Sequence, residues 1–215
     1  MKIGIIGAGN VGGTLGTRLA RLGHQVVFSS RNPQSDEMKA LASTAGPTAC
    51  TDTVAGTVAA SDVLILATPW PATKSILEGA AGSDGTGLEG KILVDATNPL
   101  LPNLAGLEIG TSTSGGELVA SWAPGATVVK AFNTVGYNVM ADPSIGGRKA
   151  LLYYCGDDPT ANATVGQLAT ELGFDAQDAG LLTQARLLEP FALLWIRLAF
   201  TKGHGREFAF QTISR

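Results

Sequence analysis

The stretch IGIIGAGNVGGTLGTRLA, residues 3–20, decides the fold. It opens as a short β-rich run that closes on Gly7-x-Gly9-x-x-Gly12. Val11, Leu15, Leu19 and Leu22 then recur at helical spacing, and Gly23 is a natural stop. A glycine triplet that ends a strand and opens a helix predicts a phosphate-binding turn, and the context carries more weight than the three glycines alone. Gly7 permits the tight turn, Gly9 lets backbone approach a pyrophosphate, and Gly12 lets helix and strand pack closely. The helix N-terminus, with Asn10 and Val11 beside it, offers free N–H groups and a partial positive charge to an anion.

The next strand ends in VVFSSRNP, Val26 to Pro33. Dinucleotide sites for NAD place an acid at this point, bonded to the ribose 2′-hydroxyl. No acid stands here. Ser29 and Ser30 offer hydroxyl donors, and the Arg31 guanidinium can grip a phosphate in a fork. The pattern predicts NADP(H), recognised through its 2′-phosphate. Arg18 is a further polar residue near the loop, with solvent as its other destination.

Working outward, QVVFSS is the second strand, Asp36 to Ser43 a helix, and Cys50 lies near a short third strand. DVLILATP, KILVDATNP and ATVVKAFNTV read as strands four to six. Their apolar residues do not alternate, as expected of strands covered on both faces. Gly79 to Gly90 reads as a surface loop. After Pro143, RKALLYYCG reads as a strand, Asp158 to Leu172 as a helix, and GFDAQDAG as a strand and turn. Leu181 to Phe200 is apolar around most of its circumference, with Pro190 inside, and predicts two helices or one broken at the proline. Alternating strands and helices imply an α/β fold, a Rossmann-type doubly wound parallel sheet with a small C-terminal α/β and helical extension. Residues 1–142 are expected to form the NADP-binding domain. Residues 143–215 are expected to form a C-terminal extension that makes the dimer contacts.

Composition excludes several alternatives. The 215 residues carry a net charge of −3 with no basic block, so no nucleic-acid partner is expected. Only 15% are charged and 45% are hydrophobic, which argues against disorder. Apolar runs fall short of a bilayer span, and the N-terminus lacks the pattern of a signal peptide, so no membrane partner and a cytoplasmic setting are expected. Cys50 and Cys155 read as small buried residues, with no disulfide framework and no zinc spacing to His24 or His204. His24 is expected at the surface. The apolar tail LEPFALLWIRLAF should pack on the sheet domain and on a second copy, giving a homodimer.

Ligands of such sheets bind beyond the carboxyl ends of the strands. Three of those ends are polar: Ala67–Trp70 (ATPW), Ala96–Pro99 (ATNP) and Ala131–Val135 (AFNTV). Thr68, Asn98, Asn133 and Thr134 supply small hydrogen-bonding groups there. Pro69 and Pro99 stiffen the loops, backbone near Ala131 can serve a carboxamide, and Trp70 either walls a ring or packs its own loop. No triad or acid–base pair is found. Hydride transfer between rings requires alignment and exclusion of water more than a proton carrier.

Taken together, GIIGAGNVG, SSRNP, ATPW, VDATNP, VVKAFNTV and LEPFALLWIRLAF resemble the NADPH-dependent F420 reductases, or F420-dependent NADP oxidoreductases. That family is related to the cytosolic reductase domains of membrane ferric reductases. The resemblance implies an N-terminal NADP domain, a C-terminal part forming a deazaflavin pocket, and direct hydride transfer between NADP(H) and coenzyme F420. By motif, Ser30 and Arg31 match the 2′-phosphate clamp, and Thr68, Pro69, Asn98, Ala131 and Asn133 the nicotinamide end. A further basic residue can follow the Ser-Arg pair in that family; here none appears before Lys39. Trp70, Val135 and residues near Trp195 are candidates for the acceptor slot. The alternatives are another small-molecule acceptor, such as a flavin, ferric iron or a small carbonyl compound, or a non-catalytic NADPH-binding sensor.

Overall fold

The computed structural model describes residues 1–82 and 85–213. Ten strands and eight α-helices follow one another among these residues. They are β1 (Lys2–Ile6), α1 (Asn10–Arg21), β2 (Gln25–Ser29), α2 (Asp36–Ala45), β3 (Ala49–Asp52), α3 (Val54–Ala59) and β4 (Val63–Leu66). Then come α4 (Trp70–Ala81), β5 (Ile92–Asp95), α5 (Gly115–Trp122), β6 (Thr127–Lys130), α6 (Tyr137–Ala141), β7 (Ser144–Ile145) and β8 (Arg148–Lys149). The chain ends with β9 (Leu151–Gly156), α7 (Pro159–Glu171), β10 (Asp175–Asp178) and α8 (Ala185–Thr201).

The main sheet has eight strands in the order β10-β9-β6-β5-β4-β1-β2-β3. Strands β1 to β6 are parallel and follow the doubly wound order, with its switch point between β1 and β4. Period-two alternation explains the unbroken apolar runs. In β4, Val63 and Ile65 enter one core with Leu15, Leu19 and Phe28, while Leu64 and Leu66 enter the other with Leu77, Leu93 and Val119. Each face of the sheet therefore has its own core.

Four features depart from the sequence reading. The sheet is not wholly parallel: β9 runs antiparallel to β6. Helix α6 has five residues, about 7.5 Å of rise, too short to return the chain to the opposite edge for a parallel neighbour. Only Val129–Gly156 and Lys130–Cys155 pair, so β9 projects past the carboxyl end of β6, and β9 and β10 extend the same sheet. RKALLYYCG divides at Ala150 into β8 and β9, because β7 and β8 form a separate hairpin. Within Leu181–Phe200, α8 runs unbroken through Pro190 after a short turn of 3₁₀ helix at Leu182–Gln184. Burial of Glu189, Ala192 and Trp195 holds the helix where propensity alone would break it. The Gly79–Gly90 loop is shorter than expected, since α4 extends to Ala81 and Leu88 is fully buried. Ser83 and Asp84, in its middle, lie outside the described residues.

Two burial expectations are corrected as well. His24 is buried, with a ring nitrogen 2.9 Å from Glu171 Oε2, which ties the start of β2 to the end of α7. Cys155 is buried, but Cys50 is exposed, because β3 is an edge strand whose residues alternate between half-buried and exposed.

Candidate functional site

The three loop glycines meet three different constraints. Gly7 has φ +99°, and a Cβ there would stand 2.6 Å from the Ala67 carbonyl oxygen, so β1 and β4 meet closely at the switch point. At Gly12 a Cβ would lie 2.1 Å from the Gly7 carbonyl oxygen and 2.8 Å from Ile5 Cγ2, which makes glycine a packing requirement between α1 and β1. At Gly9 a Cβ would meet nothing within 4 Å among the described residues. Packing within the chain does not demand glycine there. The open space over the N-terminus of α1, with no acidic residue in its first turn, is the cradle a pyrophosphate needs. Asn10 is exposed as the first residue of that helix, and Val11 is half-buried behind it.

Ser29 ends β2, and its Oγ accepts the Gly7 N–H at 3.4 Å, so the second strand braces the glycine loop. Ser30 Oγ accepts the Asn32 N–H at 3.1 Å, and Ser30 N–H donates to the Asp52 carbonyl, which fixes the turn that presents Arg31. Among the described residues no hydrogen bond or salt bridge engages the exposed Arg31 guanidinium. Ser30 and Arg31 border a cleft of about 370 Å³ with Thr53, Val54, Ser75 and Ile76. Arg18, by contrast, is half-buried and donates to the Met140 carbonyl at 2.8 Å, away from this turn. Burial holds its pKa below the ordinary arginine value.

Across the switch point, Val11, Thr68, Pro69, Trp70, Thr97 and Asn98 line a second cleft of about 340 Å³. Thr68 Oγ1 lies 2.9 Å from Thr73 Oγ1 at the start of α4. Trp70 is buried at its rim. Its indole lies 5.3 Å from that of Trp122 and donates to Glu108 Oε2 at 3.1 Å. Asn98 Nδ2 donates to the Asn133 carbonyl, and Asn133 Nδ2 donates to Asn98 Oδ1 and the Leu188 carbonyl, so the loops after β5 and β6 and α8 are stitched together. Asn133 Oδ1 is buried with no partner among the described residues. Ala131 and Thr134 are buried behind this pair. Phe132, between them, holds φ +64°, a strained conformation for a bulky residue, and its ring is fixed in the core against Phe174. Val135 also belongs to that core, and Trp195 is buried with its indole donating to the Phe208 carbonyl. A larger cleft, about 530 Å³, lies beside Lys2, Gln25 and Thr48 at the opposite ends of β1 and β2, away from the glycine loop.

Sequence reasoning missed one part of the site. Beneath the Thr97–Asn98 wall, Lys130 Nζ lies 2.8 Å from Asp95 Oδ2, 2.8 Å from Glu189 Oε1 and 2.8 Å from the Thr97 carbonyl. All three charged side chains are at most 1% exposed. Burial alone would lower the Lys130 pKa, but the two carboxylates outweigh it and hold it above the ordinary lysine value. The available signal was a charged residue inside each of three apolar runs, in LVDA, VVKA and LLEPF. Among the described residues, no group of three or more His, Cys, Asp or Glu is placed to hold a metal.

The strand order, the glycine loop and the Ser-Ser-Arg turn define a Rossmann-type dinucleotide-binding protein. A family model described as "NADP oxidoreductase coenzyme F420-dependent" matches residues 2–99. A crystal structure of a candidate F420-dependent NADP-reductase from Arthrobacter sp. FB24 superposes with TM-score 0.87 and 32% identity, over 100% of both chains. The chain belongs to the coenzyme F420-dependent NADP oxidoreductase family. Metalloreductase STEAP3 of Rattus norvegicus is 35% identical over 195 residues, covering 89% of this chain and 36% of that protein. The chain thus spans about a third of the length of such curated relatives. An imine reductase from Aspergillus terreus, solved with NADPH4, shares the fold at TM-score 0.67 and 22% identity, over 94% of this chain and 63% of that one. Among the described residues no helix is long and apolar enough to cross a membrane.

Proposed function

We propose that this chain exchanges a hydride between NADP(H) and coenzyme F420. The observation that carries the reading is the pair of clefts on either side of the switch point, one bordered by Ser30 and Arg31 and one by Thr68 and Asn98. When bound, NADPH supplies the hydride. Gly7, Gly9, Asn10, Val11 and Gly12 form the turn that holds the pyrophosphate, and the open space at Gly9 fits it. Ser29 braces that turn, while Ser30 and Arg31 clamp the 2′-phosphate. Thr68, Pro69, Trp70, Asn98, Ala131, Asn133 and Thr134 form the nicotinamide end. The unpartnered Asn133 Oδ1 is a suitable acceptor for a carboxamide N–H. Among the described residues, no side chain lining this cleft is acidic, basic or a histidine. That suits an acceptor needing alignment rather than a protein proton donor.

In this reading residues 1–142 carry the NADP site and residues 143–215 complete the acceptor side. A second copy covers Leu187 and Leu194, which are exposed one heptad apart on α8. The setting is a reducing cytoplasm, where the exposed Cys50 thiol persists. Reduction of ferric iron is the second reading, favoured by the similarity to Metalloreductase STEAP3. The test is to mix purified protein with NADPH and, separately, oxidised F420, a free flavin and a ferric chelate, following each absorbance. F420 turnover well above the others supports the proposal. Turnover of flavin or ferric chelate alone replaces it, and tight NADPH binding with no acceptor turned over leaves a sensor.

A further inference from the structure

Three of the motifs noted in the sequence, VDATNP, VVKAFNTV and LEPF, converge on the buried Asp95–Lys130–Glu189 cluster, and the hydride site described above uses none of these charges. Among the described residues, every partner of the two carboxyl groups acts as a hydrogen-bond donor. Asp95 Oδ1 accepts from the Thr97 N–H at 2.9 Å and the Thr97 hydroxyl at 2.7 Å, and Oδ2 accepts from Lys130. Glu189 Oε2 accepts from the Gly115 N–H at 2.9 Å, and Oε1 from the Gly116 N–H at 2.9 Å and from Lys130 at 2.8 Å. Two acidic side chains thus face a single ammonium, which leaves the cluster with an excess negative charge. The N-terminus of α5 offsets part of it through its dipole. Water cannot screen the rest, because the three side chains are almost fully buried.

This charge lies directly behind the nicotinamide end, since Thr97 lines the cleft and also bonds to both Asp95 and Lys130. A nicotinamide ring is a cation when oxidised and neutral when reduced. We propose that the Asp95–Lys130–Glu189 cluster is a positioning and electrostatic element that favours the oxidised, pyridinium form and so makes bound NADPH a better hydride donor. Thr97 is the wall through which the cluster acts, and Glu189 joins α8 to it. The inference rests on the nicotinamide assignment made above.

The test is the affinity of the wild type and of Glu189→Gln for NADP⁺, NADPH and adenosine 2′,5′-bisphosphate, measured by calorimetry with no acceptor present. Glu189→Gln removes the excess charge and keeps the shape. NADP⁺ should weaken about fivefold to tenfold more than NADPH, while the bisphosphate, which has no nicotinamide, binds within about twofold of wild type. Tenfold in that ratio corresponds to about 30 mV in the potential of the bound couple. Equal losses of NADP⁺ and NADPH, or no loss, would overturn the inference. Asp95→Asn must show the same pattern, and it carries the test if Glu189→Gln does not fold. Failure of both variants to fold would make the cluster a stability element and overturn it. Wild-type protein that binds NADPH no better than the bisphosphate would defeat the nicotinamide assignment itself, and this inference with it.

Discussion

Gly9→Val and Gly12→Ala should fail in opposite ways, although they lie three residues apart in one motif. At Gly12 the added Cβ falls 2.1 Å from a backbone oxygen, more than an ångström inside ordinary contact, so α1 must move off β1. Overpacking of this kind costs about 1–3 kcal/mol, and a chain of this length loses about 2–4 °C of Tm per kcal/mol. Gly12→Ala should therefore melt roughly 2–12 °C below wild type. Gly9 has φ −76° and ψ −159°, extended backbone that valine accepts, and an added Cβ meets no atom of the described residues within 4 Å. Gly9→Val should keep its stability within about 0.5 kcal/mol, as an isolated surface change does. Its isopropyl group would occupy the cradle, and each lost N–H bond to a charged phosphate costs about 1.5–3 kcal/mol. NADP⁺ affinity should fall at least about tenfold to a hundredfold. Differential scanning fluorimetry and calorimetry with NADP⁺ check the two halves. A Gly9→Val protein that binds NADP⁺ like wild type would refute the phosphate loop, and a Gly12→Ala protein that melts like wild type would refute the packing argument.

Arg31→Ala should weaken NADPH by about tenfold to a hundredfold and leave NADH nearly unchanged, because only NADPH carries the 2′-phosphate. Equal losses in a titration of both cofactors would make Arg31 structural. One thiol per folded chain should react with a disulfide reagent near neutral pH. Cys50 is exposed, whereas Cys155 is buried and its pKa is pushed up, chiefly by that burial, to about 12. Two fast-reacting thiols in native protein would contradict the described burial. Glu117 accepts from the Arg186 guanidinium and from the Ser114 hydroxyl, which holds its pKa below the ordinary glutamate value despite some burial. A depressed folded pKa stabilises the fold above the unfolded pKa and loses that contribution as pH falls through the folded one. The stability gap between wild type and Glu117→Gln in urea should be constant near pH 7 and shrink below about pH 4. A gap independent of pH would sink the assignment.

Local chemistry was legible in the sequence; long-range pairing was not. The glycine turn, the Ser-Ser-Arg end of β2 and the two-faced burial of β4 each depend on residues within one element, and pattern alone reports them. His24 could not be placed without Glu171, which lies 147 positions away along the chain. Cys50 needed knowledge that β3 is the sheet edge. The antiparallel β9 depends on the brevity of α6, a length that apolar spacing does not define. Pro190 read as a break because propensity sees the lost N–H, not the carboxylate of Glu189 one residue earlier held by two backbone N–H groups of α5.

The Asp95–Lys130–Glu189 cluster lies in segments that the motifs singled out, yet the sequence reading named none of its three side chains. Charged side chains are almost never fully buried unless paired, and a pairing between distant segments is not visible in any one of them. Asn98 and Asn133 looked like small hydrogen-bonding groups of the rim, yet they are bonded to one another, with Asn133 Oδ1 buried and unpartnered among the described residues. The segments ATNP and AFNTV are held in register by charges one to three positions upstream. Removing one member of such a buried cluster exposes the desolvation cost of the others, on the order of 3–5 kcal/mol. Lys130→Met should therefore lower stability far more than Asn98→Ala, because it leaves two carboxylates facing each other in the core. Equal destabilisation of the two variants in urea would show that the asparagine pair, not the ion cluster, fixes this end of the sheet.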